Sequence, residues 1–390
     1  MKTLSHRTST FTDSVIRRMT RVCMKYGAVN LSQGFPDFDP PKEILDRLAE
    51  VAHEDYHQYS ITWGAQNFRE ALARKQSGLM GIEINPNGEI VTTCGGTEAM
   101  MAAVMTVCNP GDKVIIFSPW YENYGADCIL SGAEPIYVPL IPPTYHFDAN
   151  TLEDAMKQPG VKALILCNPS NPCGKVFTLE EMTIIADLAK KYDLYVITDE
   201  VYEHIIYEPH QMVYMASLPG MRERTVVCGS LSKTYSLTGW RLGYTIASPE
   251  ITERIKKVHD FLTVGAAAPL QEAMVTGLNF GQSYYEELKA KYTGKRQLMC
   301  EGLDRIGLKH NVPEGAYYIM LDIREFMQKT GCRTDLEFAE LLCEKVGVGT
   351  VPGSSFFHEP VNDYVRLHFA KREETLNEAL NRLNDIRQKL

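Results

Sequence analysis

Residues 230–244 read Ser230-Leu231-Ser232-Lys233-Thr234-Tyr235-Ser236-Leu237-Thr238-Gly239-Trp240-Arg241-Leu242-Gly243-Tyr244. One lysine sits among small hydroxyl residues, with a second cation and two glycines just downstream. Before it runs Thr225-Val226-Val227-Cys228-Gly229, a short β-branched apolar segment of the kind that forms a buried strand. Lys233 is therefore expected at or just past a strand end, where loops carry chemistry on a rigid sheet. A lysine amine becomes a nucleophile when nearby cations and partial burial lower its pKa. Ser230, Ser232 and Arg241 offer two hydroxyls and a planar, permanently charged fork, a good set for a phosphate. A nucleophilic lysine beside a phosphate cradle is the pairing that pyridoxal 5'-phosphate uses. Taken alone, a lysine in a Ser/Thr-rich turn reads more simply as a surface residue.

The chain has 390 residues, room for two or three domains or for one large and one small. Its hydrophobic content of 44% and charged content of 23% are those of an ordinary globular protein. The net charge of -9, without a long basic run, argues against nucleic acid as a partner. The ten cysteines are scattered, with no CxxC pair and no zinc spacing, so no metal is expected. Free thiols in a reducing, cytoplasmic setting account for them most simply. Residues 1–20 carry Lys2, Arg7, Arg17 and Arg18 without an apolar core, which is not a signal peptide. No apolar run reaches membrane-spanning length, so no membrane is expected as a partner.

Working outward, buried strands alternate with helices. Residues 90–94 read as a strand, and Gly95-Gly96-Thr97-Glu98-Ala99-Met100 opens a helix over 99–108. Glycines at a helix entry let the backbone approach an anion, at which the free N–H groups point; such a turn can equally just cap a helix. A strand at 113–117 precedes Trp120, Tyr121 and Tyr124, aromatics that suit either a core or a ligand platform. A strand at 163–167 ends in Asn168-Pro169-Ser170-Asn171-Pro172-Cys173-Gly174, made rigid by its prolines and glycine. Helix 180–192 leads to strand 195–198 and Asp199-Glu200-Val201-Tyr202. A strand-end Asp with a nearby Tyr is common in any α/β protein, though such a carboxylate would also suit a pyridine nitrogen that has to stay protonated. Upstream lie a helix from Val15 to Gly27, a shaped loop at 30–38, and helices 41–52 and 68–79 flanking Tyr59. Downstream, 249–280 is helical with a new helix at Pro269, followed by a helix at 284–306 and a turn and strand at 313–320. A helix at 336–346 and a strand at 348–352 come next. Residues 364–370 alternate, with Val365, Leu367 and Phe369 on one face and Tyr364, Arg366 and His368 on the other. This order fits an α/β fold with a mainly parallel sheet and functional groups at the strand ends.

The lysine stretch resembles that of the fold-type I pyridoxal-phosphate aminotransferases, class I/II, through Ser230, Lys233, Gly239, Arg241 and Gly243. The resemblance runs from residue 30 to about 385. The wording Ser32-Gln33-Gly34-Phe35-Pro36-Asp37-Phe38 is most similar to the kynurenine, glutamine and methionine aminotransferase branch. It implies a large cofactor-binding domain over 45–285, with a central sheet between helices. A smaller α+β domain would combine the N-terminal arm (1–44) with the C-terminal segment (286–390). It implies that Lys233 holds the cofactor and that Gly96, Thr97, Ser230, Ser232 and Arg241 bind its phosphate. Tyr121 would stack on the ring, Asn171 and Tyr202 would meet the phenolic oxygen O3', and Asp199 the ring nitrogen. Tyr59 would reach the cofactor phosphate of a neighbouring subunit, which implies a homodimer with shared sites. Arg366 would fork onto the substrate α-carboxylate near Gly34 and Asn171, with Tyr124 lining the substrate pocket. Cys173 stands where the family usually has threonine, a position without a principal catalytic role.

The implied activity is ping-pong transfer of an amino group from an L-amino acid to a 2-oxo acid, with Lys233 as general base. The loop wording points to neutral or aromatic donors such as methionine, glutamine, phenylalanine or kynurenine. An aspartate-preferring enzyme is the alternative, but the resemblance assigns no second arginine to a side-chain carboxylate. A cysteine-S-conjugate β-lyase would keep the same cofactor residues. A regulator that senses the cofactor would carry a DNA-binding segment, for which no room is expected before residue 30. A nicotinamide enzyme is disfavoured, because Gly-Gly-Thr-Glu-Ala lacks the GxGxxG spacing.

Overall fold

The computed structural model describes residues 2–11 and 14–390. A short strand β1 (Val29–Asn30) precedes a seven-stranded sheet. The sheet is made of β2 (Ile90–Thr93), β3 (Lys113–Ser118), β4 (Glu134–Pro139), β5 (Val161–Cys167), β6 (Tyr195–Asp199), β7 (Thr225–Ser230) and β8 (Gly243–Ile246). Their order is β2-β8-β7-β6-β5-β3-β4, and only β8 runs against its neighbours. The helices are α1 (Val15–Tyr26), α2 (Lys42–Val51) and α3 (Gln66–Met80) ahead of the sheet, then α4 (Gly96–Val107) and α5 (Asn123–Ser131) between its strands. They continue with α6 (Ala149–Met156) and α7 (Leu179–Lys191) between the strands, and α8 (Pro249–Thr263), α9 (Ala268–Leu278) and α10 (Gln282–Ile306) after the last of them.

A sheet covered on both faces needs strands that are apolar on both sides. Val114, Ile116, Ala163, Ile165, Ile197 and Val226 turn to one face, onto Ala99, Ala103, Ile251 and Ile255 of α4 and α8. Ile115, Phe117, Leu164, Leu166 and Val196 turn to the other, onto Leu152, Met182, Ile185 and Ala189 of α6 and α7. The parallel strands β3, β5, β6 and β7, together with β2, all end at one edge of the sheet. The loops that follow them therefore converge there.

Several expectations shift. Strands β4 and β8 were not anticipated. β4 carries Pro135 and Pro139 and lies at the sheet edge, where a missing N–H costs no ladder bond. β8 begins inside the lysine stretch and returns against β7, with Gly243 opposite Ser230. The helix expected from Ala99 starts at Gly96. The helix expected over 336–346 runs Asp335–Leu341 and continues as a π-turn, Leu342–Val346. The single strand expected at 348–352 divides between two sheets. β9 (Tyr318–Asp322), β10 (Val348–Gly349), β11 (Val351–Pro352) and β12 (Tyr364–His368) complete the set. β10 pairs in parallel with β1, whereas β11 pairs with β12, so each half satisfies its backbone on a different partner. The end of α1 at Gly27 is as expected: Gly27 is left-handed (φ +60°) and its N–H caps Cys23 O. Met19, Cys23 and Leu31 pack in one core with Leu288, Met299 and Leu303 of α10, with β9 and β12, and with Leu376 and Leu383.

Candidate active site

A cavity of about 430 Å³ opens at the C-terminal edge of the strands. All the residues expected from the sequence line it except Tyr59, which is 86% exposed on the single chain and lies elsewhere.

One end of the cavity is built of donors. Helix α4 begins at Gly96, so the first-turn N–H groups of Gly96 and Thr97 have no intrahelical acceptor. Gly95 before it is left-handed (φ +85°), and a Cβ there would lie 2.3 Å from Arg241 Nη2. Only glycine lets the guanidinium approach this turn so closely. Ser230 and Ser232 are buried with their hydroxyl oxygens 2.9 Å apart. Arg241 Nη1 donates to Thr238 O at 3.0 Å, and among the described residues the guanidinium has no carboxylate partner. Amides, hydroxyls and a guanidinium thus converge without an anion, and with a helix N-terminus behind them they fit a phosphate ester.

The floor carries Asp199 at the end of β6. Its Oδ2 accepts from Tyr124 Oη–H at 2.6 Å and its Oδ1 from the Val201 N–H at 3.3 Å. Burial pushes the carboxyl up, while Tyr124, Val201 and the Lys233 cation pull it back only part of the way. Tyr124 lines the cavity as expected, but its hydroxyl is spent on Asp199 rather than left for a substrate. Lys233 Nζ donates to Gly34 O at 3.0 Å, and Tyr317 Oη–H donates to the same carbonyl at 3.0 Å. Burial, then the cations Arg241 and Arg366, bring the Lys233 amine down to about 8, against the pull of Asp199. A sizeable neutral fraction therefore exists near neutral pH, which a nucleophile or base needs.

Arg366, from β12, is 1% exposed. Its Nη1 donates to Asn171 Oδ1 at 2.7 Å and its Nη2 to Ser32 O at 2.8 Å. Its guanidinium carbon sits 4.4 Å from the Tyr318 ring centre and 4.6 Å from that of Phe356. Two rings and two acceptors hold the fork in one orientation. Nε is buried without a partner among the described residues. Tyr202 is held in turn by Tyr318, their hydroxyls 2.8 Å apart. Sequence reasoning missed Tyr317, Tyr318 and Phe356. Residues 313–320 were read only as a turn and strand, and Tyr318 reaches Arg366 diagonally through the β9–β12 register, where Arg366 faces Met320. A Cβ on Gly34 would lie 2.3 Å from Tyr318 Oη. The variant Gly34→Ala is expected to lose about 1–3 kcal/mol of stability through overpacking, read from its denaturant midpoint; an unchanged midpoint would show that Tyr318 yields freely.

A second support lies behind the donor cup and was also missed. Glu98, in the first turn of α4, is buried beside His259 of α8. His259 Nδ1 lies 2.7 Å from Glu98 Oε1 and Nε2 lies 2.8 Å from Thr62 O, while Thr263 Oγ1 donates to Glu98 at 2.8 Å. Both ring nitrogens face acceptors, so the imidazolium suits the site. Burial alone would raise Glu98 and lower His259, but their mutual hydrogen bond and charge reverse both shifts. The Glu98 contribution is complete above its unfolded pKa and fades as pH falls through its depressed folded value. The His259 contribution is complete below its unfolded pKa and fades as pH rises through its raised folded value. The stability lost in His259→Asn should therefore be greatest between about pH 4.5 and 6.5 and shrink on alkaline titration. Denaturation curves across pH test this, and a loss that grows with pH would refute the charged pair.

Residues 26–383 match the family model for aminotransferase class I and II. The chain is 33% identical to the methionine aminotransferase of Escherichia coli, covering 96% of each chain. It is 32% identical to human kynurenine–oxoglutarate transaminase 1, covering 91% of this chain and 92% of that one. The solved structure of N-succinyldiaminopimelate aminotransferase from Mycobacterium tuberculosis superposes with a TM-score of 0.93 at 33% identity, over 98% of this chain and 99% of that chain. The matched span contains every strand whose end feeds the cavity, and the chain belongs to the aminotransferase class I and II family, enzymes that pass the amino group of an amino acid to a 2-oxo acid.

Proposed function

We propose that this aminotransferase works with pyridoxal 5'-phosphate and takes neutral or aromatic L-amino acids as donors. The observation that carries the reading is an amine near pKa 8, Lys233, in one cavity with a donor cup that fits a phosphate and a buried carboxylate, Asp199. When bound, the cofactor supplies an electron-withdrawing ring that lets a Cα–H ionise. The cup formed by Gly96, Thr97, Ser230, Ser232 and Arg241 would hold its phosphate. Asp199 would keep its ring nitrogen protonated, Asn171 and Tyr202 would meet its phenolic oxygen, and Tyr121 would cover its ring. The remaining work belongs to the protein. Arg366, fixed by Asn171, Ser32 and two rings, grips the substrate carboxylate. Lys233, as a neutral amine, would take the proton from Cα and deliver it to the cofactor carbon that carries the amino nitrogen. Tyr318 and Phe356 keep water from the Arg366 fork.

The methionine and kynurenine enzymes among its relatives support the donor class, as does the aromatic lining of Phe35, Tyr121 and Tyr318. A homodimer with shared sites is supported by Tyr59 (86% exposed) lying in the same surface region as the exposed Ile61, Phe261 and Leu262. The segments join where His259 reaches Thr62. The common core of the arm with α10 and the C-terminal strands supports a small domain of 1–44 with 286–390 and a large one of 45–285. Ten free cysteines support a cytoplasmic setting. The test mixes the holoenzyme with a panel of amino acids, without acceptor, and follows the visible absorbance of the cofactor. Methionine, glutamine, phenylalanine or kynurenine should convert it to the aminated form, aspartate more slowly. No change with any donor would refute the reading, and recovery of the absorbance with accumulation of pyruvate from an S-substituted cysteine would make the protein chiefly a β-lyase.

A further inference from the structure

We propose that Glu359 is a positioning residue for the substrate carboxylate: by holding Ser118 it seats the ring of Phe356 on Arg366. The proposal rests on the reading of Arg366 given above. Glu359 lies outside the lining of the cavity. Its Oε2 accepts from Ser118 Oγ–H at 2.5 Å, and the same Ser118 oxygen accepts from the His358 N–H at 3.1 Å. Ser118 is the last residue of β3 and is fully buried. A carboxylate from the C-terminal segment thus grips the strand end from which Trp120 and Tyr121 follow, 241 residues away along the chain.

The loop between β11 and β12 is fixed at both ends. At its start Asp335 accepts from the Ser354 N–H at 2.6 Å and from Ser354 Oγ–H at 2.7 Å. At its far side stands the Glu359–Ser118 pair. Midway, the Trp120 N–H donates to Phe356 O at 2.9 Å. His358 stacks on Tyr137, ring centres 4.5 Å apart and planes 15° apart, and Tyr137 meets Trp120 in turn at 4.4 Å. Asp335 ties the loop to the C-terminal segment, whereas Ser118, Trp120 and Tyr137 tie it to the central sheet. What this frame turns inward is the buried ring of Phe356, 4.6 Å from the guanidinium carbon of Arg366.

Arg366 needs that ring. Its Nη atoms hold Asn171 and Ser32, but its Nε has no partner among the described residues, so the Tyr318 and Phe356 faces set the plane of the fork. A Phe356 ring that drifts away loses its cation–π contact and lets the fork turn from the bidentate geometry a carboxylate requires. Lys233 and Asp199 are held by Gly34, Tyr124 and Val201, none of them in this loop. Loss of Glu359 therefore weakens the grip on the carboxylate and leaves proton transfer intact.

The test mixes the holoenzymes of wild type, Glu359→Ala, Glu359→Gln and Ser118→Ala with methionine, without acceptor, and follows the cofactor absorbance. In Glu359→Ala the half-saturating methionine concentration should rise roughly 3- to 30-fold, the span of a cation–π contact from exposed to desolvated. The limiting rate should stay within about threefold of wild type. Calorimetry with 4-(methylthio)butanoate, a monocarboxylate with no amino group to transfer, should show its Kd rising by the same factor. Glu359→Gln keeps an oxygen that accepts from Ser118 and should lose less than Glu359→Ala. Ser118→Ala should match Glu359→Ala, and the double variant should lose no more than either single one. A Kd within about twofold of wild type in Glu359→Ala would overturn the proposal, as would an equal loss in Glu359→Gln or a fall confined to the limiting rate. A lowered unfolding midpoint with an unmoved Kd would make the contact structural only. If no donor alters the cofactor absorbance of the wild type, the reading of the site fails and the proposal with it; an intact half-reaction with an unmoved Kd refutes Glu359 alone.

Discussion

Replacing Lys233 with alanine lowers kcat by about 10⁴-fold with every amino donor, the upper end of the range for loss of a positioned base. The amine is the one group in the cavity held near pKa 8, and the other lining bases are committed. Asp199 is bound by Tyr124 and Val201, and the hydroxyl of Tyr202 by Tyr318. The fold should survive the change. Lys233 stands among the cations Arg241 and Arg366, both of which depress its pKa, so its removal relieves repulsion. The one hydrogen bond lost goes to Gly34 O, which keeps Tyr317. The unfolding midpoint should therefore hold or rise while steady-state turnover collapses. A kcat within tenfold of wild type would remove Lys233 from the chemistry, and a collapsed midpoint would make its role structural.

Asp199→Asn is the second large effect, with kcat reduced roughly 10²- to 10³-fold, as when one preorganised electrostatic group is lost. The amide preserves the shape, and its oxygen can still accept from Tyr124. What disappears is the charge. Asp199 favours the protonated form of Lys233, so without it the amine titrates below its present value of about 8. With the cofactor proposed above, the rate at which the Lys233 amine would react with its aldehyde, followed by visible absorbance, should rise with pH as the amine is deprotonated. Its midpoint should move to lower pH in Asp199→Asn. A midpoint that moves up would show that Asp199 does not act on Lys233 through its charge.

The positions of both residues were legible in the sequence because the signals behind them are local, whereas their roles were expected only from the resemblance to the aminotransferase family. Asp199 closes the apolar run of β6 and Lys233 follows that of β7, and parallel strands bring their ends to one edge. The Gly95-Gly96-Thr97 cup was legible for the same reason: a left-handed glycine and a helix start are decided within a few residues. The elements misread were those whose backbone partners lie far away. Nothing inside 348–352 says that its halves pair with Val29–Asn30 and with Val351–Pro352's antiparallel partner β12 in separate sheets. Nothing in the proline-bearing segment Glu134–Pro139 says that a sheet edge awaits it.

The sequence by itself determined the alternating parallel core and put Gly95-Gly96-Thr97 at a helix start, Asp199 and Lys233 at strand ends and Arg366 on one strand face, because periodicity and turn chemistry need only neighbours along the chain; the roles expected of these residues came from the resemblance to the aminotransferase family. Tertiary structure alone decided which groups surround them. Arg366 meets Ser32 across 334 residues and stacks between Tyr318 and Phe356. Tyr124 turns its hydroxyl to Asp199, Glu98 finds His259, and Arg17 reaches the cavity wall. Such contacts depend on strand register and helix packing, where burial strengthens each hydrogen bond and charge, and no spacing along the chain encodes them.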